Sequence, residues 1–147
     1  MLAAKSDTTT SIIRAALILL WTYAAMSKLL DYNQSRTRML EQVFPVSVSE
    51  ILVWVVPVAE LITAALLLFK KTRLSGLNAS LFLLLQFTSY IILVMSGLFG
   101  RISCYCGGIL EKMTWGQHLY FNLVFLTLTL FGLVIHQKER RHMAKSI

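Results

Sequence analysis

Four long apolar blocks run through this 147-residue chain, and they limit its fold more than any other feature. The blocks cover residues 11–30, 49–69, 77–99 and 115–135. Each is near the roughly 20 residues that a helix needs to cross about 30 Å of hydrocarbon. Because hydrocarbon offers no water to bond the backbone, only a helix satisfies the N–H and C=O groups within one block. The sequence therefore predicts an all-α polytopic membrane protein, a single domain built as a bundle of four transmembrane helices.

Composition excludes an ordinary soluble domain. Hydrophobic residues make up 56% of the chain, charged residues 14%, and the mean hydropathy is +0.68. The apolar residues also fall into continuous blocks rather than into the one-sided stripe of a water-facing helix. A net charge of +7 is found in nucleic-acid-binding proteins too, but here the basic residues cluster at the ends of apolar blocks. We therefore expect the lipid bilayer as a partner, and no nucleic acid.

The charges also predict which way the chain is inserted. The two termini and the loop between the second and third blocks, counted with Arg14 at the start of the first block, carry nine basic and two acidic residues, a net +7. The loops at 31–48 and 100–114, counted with Lys28 and Glu50 beside the first of them, carry five basic and four acidic residues, a net +1. Since cytoplasmic loops are enriched in Lys and Arg, both termini are expected in the cytoplasm, including a basic tail at 136–147. The two other loops are then expected on the extracytoplasmic side.

The first block has a second interpretation, as a secretory signal. Arg14, a short apolar core and the run Tyr23-Ala24-Ala25 resemble such a signal with a small-residue cleavage site. The bulky Trp21 and Tyr23 disfavour cleavage there. Removal of this block would still leave the 100–114 loop outside, so the position of that loop is the same in both interpretations.

The only two cysteines, Cys104 and Cys106, lie in the 100–114 loop. Residues two apart can reach the roughly 4.4–6.8 Å between Cα atoms that a disulfide requires, but the small ring is strained. A strained, exposed disulfide is readily reduced and exchanges with other thiols. Gly107 and Gly108 supply the backbone freedom for such a turn. The pattern favours a redox-active pair displayed at the membrane surface.

Two other interpretations of the cysteines stay open. The first is a static clip or two idle thiols, although a clip around one residue stabilises little because its loop is so short. The second is a soft-metal site, for example for Cu(I), completed by His118 or Met113. One Cys-x-Cys with a single nearby histidine is a weak metal signal, so we expect no metal at the site.

Glu60 lies near the middle of the second block, where a carboxylate is costly. It is therefore expected to face the interior of the bundle and to have a partner. Counting depth at about 1.5 Å per residue places Gln86 level with Glu60 and brings Arg14 within reach. The same count puts Lys28 near the opposite surface, with its side chain extended toward the interface. We predict a buried Arg14–Glu60–Gln86 cluster, which either pins helices together or handles a proton or a quinone.

The fourth block carries His118 and Asn122 in the turns that follow the cysteine loop. An Asn within a membrane span usually makes a hydrogen bond between helices. His118 is either a proton carrier for thiol exchange or a solvated interfacial histidine.

In order and spacing, these residues resemble the MauE branch of the MauE/DoxX family of small redox-associated membrane proteins. The resemblance rests on Arg14, Lys28-Leu29-Leu30-Asp31, Pro57-x-x-Glu60-Leu61, Cys104-x-Cys106-Gly107-Gly108 and Asn122-Leu123. The chain differs from the family in two places. It has Gly-Gly where the cysteine motif often has Phe-Gly, and Phe121 where an Arg often precedes the helix-four Asn.

This resemblance implies a DoxX-like four-helix bundle in the inner membrane that forms or maintains disulfides in exported proteins. The namesake of the branch is tied to the maturation of methylamine dehydrogenase. DoxX relatives are associated with quinone-linked oxidoreductases, so the resemblance suggests quinone as a cofactor. The implied partner is an exported thiol protein or a thioredoxin-like protein.

We accordingly predict thiol–disulfide exchange at Cys104 and Cys106, supported by His118, Asn122, Glu60, Arg14, Gln86 and Lys28. Whether the chain is itself a thiol–disulfide oxidoreductase is left open. The alternative is a non-enzymatic small subunit or assembly factor of a larger membrane complex, in which the cysteines are incidental.

Overall fold

The structure is a computed structural model that describes residues 2–98 and 113–145. Its regular elements are α1 (Leu2–Leu30), α2 (Tyr32–Leu40), α3 (Val46–Leu68), a 3₁₀ turn (Lys70–Thr72), α4 (Arg73–Met95) and α5 (Trp115–Lys145). Four helical segments are long and apolar enough to cross a membrane: Thr8–Leu30, Val46–Leu68, Lys70–Met95 and Trp115–Lys138. The predicted all-α fold with four membrane-spanning helices is confirmed.

The four long helices form a ring in which each packs against two neighbours. α1 packs on α3 and α5, and α4 packs on the same two helices from the opposite side. The centre is filled by apolar side chains, among them Leu17, Trp21, Leu67, Leu77 and Leu84. Many large apolar side chains are instead exposed on the outside, for example Leu19, Ile62, Phe82 and Phe131. A bundle with this much exposed apolar surface is suited to lipid rather than to water.

The helices extend beyond several of the apolar blocks. α1 begins at Leu2 rather than near residue 11, and α5 continues to Lys145 rather than to about 135. The reason is that the polar segments at 2–10 and 136–145 contain neither proline nor glycine, so nothing stops the helix where hydrophobicity ends. α4 ends at Met95, and Gly97 follows its C-cap with a φ of 77°. This left-handed position favours glycine and ends the helix.

The segment between α1 and α3 contains the short helix α2, which ends at Leu40. Pro45 is the N-cap residue of α3, which begins at Val46. A proline suits the start of a helix because its missing N–H would lack a helical partner there.

The bundle has two distinct ends. The turn end is where the Lys70–Thr72 turn joins α3 to α4. The loop end is the opposite one, where Leu98 and Met113 lead into the cysteine loop. At the turn end the helices approach closely, since a Cβ on Gly76 would lie 2.8 Å from the backbone nitrogen of Leu67. Only glycine allows this approach without a shift of the backbone.

Candidate functional site

A buried ion pair lies between α1 and α3. The Nζ atom of Lys28 lies 2.9 Å from Oε1 and 3.1 Å from Oε2 of Glu60. It also donates to the carbonyl oxygen of Ala24 at 3.0 Å. The three N–H groups of Lys28 are therefore all used. The exposed fractions are 9% for Lys28 and 1% for Glu60, so both charges are removed from solvent and compensate each other.

The predicted partners of Glu60 were wrong: Lys28 binds it in place of Arg14 and Gln86. Arg14 precedes Lys28 by 14 positions in α1, which is about 21 Å along the helix axis. Gln86 is exposed on α4. Lys28, expected to extend toward the interface, is instead buried.

The depth count was wrong because it treated the end of the first apolar block, just after Lys28, as the point where helical structure stops. α2 follows α1 after the single residue Asp31, so the first turns of α3 lie beside α2 and beyond the end of α1. Three contacts show this antiparallel register: Arg36 with Glu50, Tyr32 with Trp54, and Lys28 with Glu60. Asp31 starts α2 by accepting a hydrogen bond from the backbone nitrogen of Gln34 at 3.3 Å.

The sequence did contain a signal for the correct partner. The buried positions of α1 form one stripe at helical spacing: Thr10, Ile13, Leu17, Trp21, Ala24 and Lys28. Lys28 continues this stripe, so it points into the bundle. On α4 the buried stripe includes Ser80, Leu84, Thr88 and Ile91, and Gln86 lies off it.

Beside the ion pair, a cavity of about 690 Å³ occupies the loop end of the bundle. Its walls are mostly apolar and aromatic, including Trp21, Phe44, Phe87, Trp115 and Phe121. Polar groups are few, and they include Lys28, Glu60, Gln86, His118 and Asn122. Apart from Arg14, the predicted supporting residues therefore line one space. A large apolar cavity with a few convergent polar groups is the usual form of a small-molecule site.

An aromatic cluster lines the cavity. The ring of Tyr90 stacks on Phe44 at 5.7 Å and meets Trp115 edge-on at 6.4 Å. The hydroxyl group of Tyr90 donates to Oε1 of Gln42 at 2.6 Å. Sequence reasoning missed this cluster. Its contacts join residues far apart in the sequence, so the spacing within one segment does not identify the partners.

The first turns of α5 bring His118 and Asn122 to the cavity. Thr114 and Gln117 start the helix with reciprocal hydrogen bonds: Thr114 N donates to Gln117 Oε1 at 3.0 Å, and Gln117 N donates to Thr114 Oγ1 at 3.3 Å. His118 and Asn122 are four residues apart and so lie on one face. Each is only 5% exposed, so His118 is not a solvated interfacial residue.

Asn122 carries the least satisfied polar group of this wall. Its side-chain nitrogen Nδ2 has no hydrogen-bond partner within the described residues, although the side chain is buried. A buried donor without a partner is costly, because it has lost its bonds to water and gained none. Its predicted interhelical hydrogen bond is therefore not formed through this nitrogen.

Cys104 and Cys106 lie outside the described residues, so their prediction is neither confirmed nor contradicted. Leu93, in the last turn of α4, and Trp115, the first residue of α5, both line the cavity. Within the described ranges, no three His, Cys, Asp or Glu side chains come together as a metal site. Because the cysteines are not in those ranges, the soft-metal alternative also stays a prediction.

Comparison with known proteins identifies the family. No curated protein and no solved structure matches the chain. A family model described as "Methylamine utilisation protein MauE" matches residues 6–135. This range contains the cysteine loop and the four spanning helices, except for residues 136–138 at the end of the fourth. This chain is therefore a multi-pass membrane protein that belongs to the MauE family.

Proposed function

We propose that this protein exchanges disulfides with exported proteins through Cys104 and Cys106, at the periplasmic face of the inner membrane. The observation that carries the proposal is the Cys-x-Cys sequence itself. It is the only pair of cysteines in the chain, and it lies between two membrane-spanning helices. The family description suggests that exported proteins of methylamine utilisation are the first clients to test.

The exchange is balanced between the two proteins. A thiolate of a client attacks the Cys104–Cys106 disulfide and forms a mixed disulfide, and the second client thiol then resolves it. The client gains a disulfide, and two electrons and two protons pass to the Cys104/Cys106 pair. The reverse exchange reduces a client disulfide by the same steps.

Trapping of the mixed disulfide tests this proposal. Each single variant, Cys104→Ser and Cys106→Ser, is expressed in cells and run on a non-reducing gel. The variant that keeps the cysteine that bonds to client sulfur should show a reductant-sensitive band of higher mass, because the second cysteine, which resolves the mixed disulfide in the reverse exchange, is missing. The other variant should show none. Ser103→Ala, beside the pair, is the matched control and should trap nothing.

The assembly-factor alternative predicts a different result. If neither single variant traps a partner and the double variant Cys104→Ser/Cys106→Ser retains the wild-type phenotype, the exchange proposal is wrong. The cysteines would then be incidental, and the chain would act through its helices alone.

The membrane topology that we propose has its own test. With both termini in the cytoplasm, a membrane-impermeant maleimide should label the reduced cysteines in whole cells without lysis. The charge division between the two sets of loops supports this orientation. Labelling that appears only after lysis would overturn it.

A further inference from the structure

We propose that the turn end of the bundle is a binding site for one anionic phospholipid. Its phosphate group is held by Lys70, Lys71 and Arg73, and one of its acyl chains lies along the outer face of α3. The site is separate from the loop-end cavity, and it does not depend on the cysteine chemistry. Its evidence is a group of cations without counter-charges, placed between an exposed apolar helix face and the border of the membrane.

The three cations follow one another where α3 gives way to α4. Lys70 and Lys71 are exposed in the 3₁₀ turn, and Arg73 is the first residue of α4. None of the three forms an ion pair within the described residues. The first turn of α4 contains no acidic residue, so the positive end of the helix dipole adds to these charges. The turn is therefore a concentrated positive charge that no acidic side chain of the described chain offsets.

Arg73 is the cation that most needs an external partner. Its side chain is partly buried, and its Nε atom is shielded from solvent without a hydrogen-bond partner in the described ranges. Neither water nor protein therefore compensates this end of the guanidinium group, which is costly for a charged donor. A phosphate suits a guanidinium group because it accepts two parallel N–H···O bonds. It would supply the missing counter-charge.

The turn that carries the lysines is held in one conformation. Thr72 Oγ1 donates to the carbonyl oxygen of Leu66 at 2.8 Å, which ties the turn to the last residues of α3. One helical turn farther on, Gly76 of α4 packs against Leu67 of α3. These contacts fix the start of α4 relative to the end of α3. A preorganised set of cations loses less entropy when it binds an anion than a flexible tail does.

The surroundings of the cations favour a lipid over a soluble anion. Leu68 and Phe69, which directly precede them, are both exposed. Val58, Ile62 and Ala65 lie on one exposed face of α3, which leads from the turn into the membrane span. An acyl chain can cover this face while its phosphate group meets the cations, whereas a soluble anion would leave the face uncovered. Basic residues at the ends of membrane spans are known to bind anionic lipid head groups.

Native mass spectrometry of the full-length protein in detergent measures the binding. The probes are dioleoylphosphatidylglycerol, which is anionic, and dioleoylphosphatidylcholine, which has the same acyl chains but no net charge. The protein should retain one phosphatidylglycerol molecule, at least about tenfold more tightly than phosphatidylcholine. Equal affinity for the two lipids would mean that the acyl chains alone bind, and it would overturn the proposal.

A matched pair of variants separates a local site from a diffuse positive charge. Lys70→Gln/Lys71→Gln should weaken phosphatidylglycerol binding about 25-fold, because each cation near an anionic lipid contributes about fivefold. Arg140→Gln/Arg141→Gln removes the same charge from α5 beyond the span that ends at Lys138. It should weaken binding less than about threefold, since salt screens charges outside the site. Equal losses in the two double variants would overturn the proposal.

Two further measurements exclude a change in the turn and a soluble ligand. Lys70→Arg/Lys71→Arg keeps both charges and should keep the affinity for phosphatidylglycerol. If it binds as weakly as Lys70→Gln/Lys71→Gln, the loss comes from the structure of the turn and not from the charges, and the proposal is wrong. An excess of sodium phosphate should leave the lipid bound, because it cannot cover the apolar face of α3. Complete displacement of the lipid would assign the cations to a soluble anion and would also overturn the proposal.

Discussion

The two ends of this bundle use opposite kinds of helix contact. At the turn end the helices touch directly: α3 meets α4 at Gly76, and a Cβ on Gly132 of α5 would lie 3.3 Å from the side chain of Ile13 on α1. At the loop end the helices are separated by a cavity of about 690 Å³ and joined by polar and aromatic bridges. Direct contact maximises helix packing at the turn end, whereas the helices of the loop end pack less tightly because they surround an accessible cavity.

This difference indicates how the chain divides stability from function. Close packing without polar atoms stabilises a helix pair in lipid through van der Waals contact. Buried polar groups are expensive unless every partner is present. The loop end nevertheless holds Lys28, Glu60, His118 and Asn122. We infer that the turn end holds the fold together, and that the loop end retains its polar groups for a task that apolar residues cannot perform.

The sharpest way to test the loop end is to break its ion pair. Glu60→Leu should lower the free energy of unfolding by about 3–5 kcal/mol, because it leaves the Lys28 charge buried without a partner. Lys28→Met should cost a similar amount for the reciprocal reason. The double variant should recover most of the loss, since two apolar side chains replace two compensated charges. Denaturant titration of the detergent-solubilised protein measures all three values.

Arg14→Leu is the control for this cycle. Arg14 lies elsewhere on α1, so its change should add to that of Glu60→Leu without compensating it. Additive effects between Lys28 and Glu60, with compensation from Arg14→Leu, would contradict the observed pairing.

The turn end is tested by its glycine contact. Gly76→Ala should cost about 1–3 kcal/mol, because the added methyl group would lie 2.8 Å from the backbone nitrogen of Leu67 and must push the helices apart. Gly116→Ala is the matched control, since nothing lies within 4 Å of its Cβ position. It should be neutral or gain up to about 1 kcal/mol from better helix propensity. Equal losses at both glycines would contradict the close contact of α3 with α4.

Much of this fold could be predicted because the bilayer leaves few choices. The length of each apolar block fixes a spanning helix, and four helices confirm that reasoning. The limits of the helices were less predictable. Polar residues continue α1 to Leu2 and α5 to Lys145, because a helix ends where capping or glycine stops it and not where hydrophobicity ends.

Sequence reasoning singled out several polar residues that line the cavity, but it gave Glu60 the wrong partners. Glu60, Lys28, His118 and Asn122 were recognised because polar side chains are rare in spans. Their pairing depends on the register between helices, which a short connecting helix such as α2 shifts by several residues. A linear depth count cannot include that shift. The buried stripe of α1, ending at Lys28, was the better guide because it requires only the period of one helix.

A smaller effect is expected for the hydrogen bond that joins Trp21 on α1 to Ser80 on α4. Trp21 Nε1 donates to Ser80 Oγ at 2.9 Å, and both side chains are buried. Ser80→Ala should cost about 1 kcal/mol, because it leaves the indole N–H unpaired. Thr127→Ala, at an exposed position of α5, is the control and should change little. A loss at Ser80 that is undiminished in a Trp21→Phe background would show that this bond does not couple α1 to α4.

The smallest effect is expected at the exposed ion pair between Arg36 and Glu50, which follows the same helix register as the Lys28–Glu60 pair. Arg36 and Glu50 join α2 to α3, but their side chains are 45% and 42% exposed. Water already stabilises both charges, so Glu50→Gln should cost only about 0–1 kcal/mol, and the loss should shrink as salt is added. The buried Lys28–Glu60 pair should show little salt dependence, because ions do not reach it. Measuring Glu50→Gln and Glu60→Leu at low and high salt therefore distinguishes the exposed ion pair from the buried one, although both pairs follow the same helix register. A large, salt-independent loss at Glu50 would mean that α2 is shielded from water, and that the loop end is closed more tightly than its exposed surface indicates.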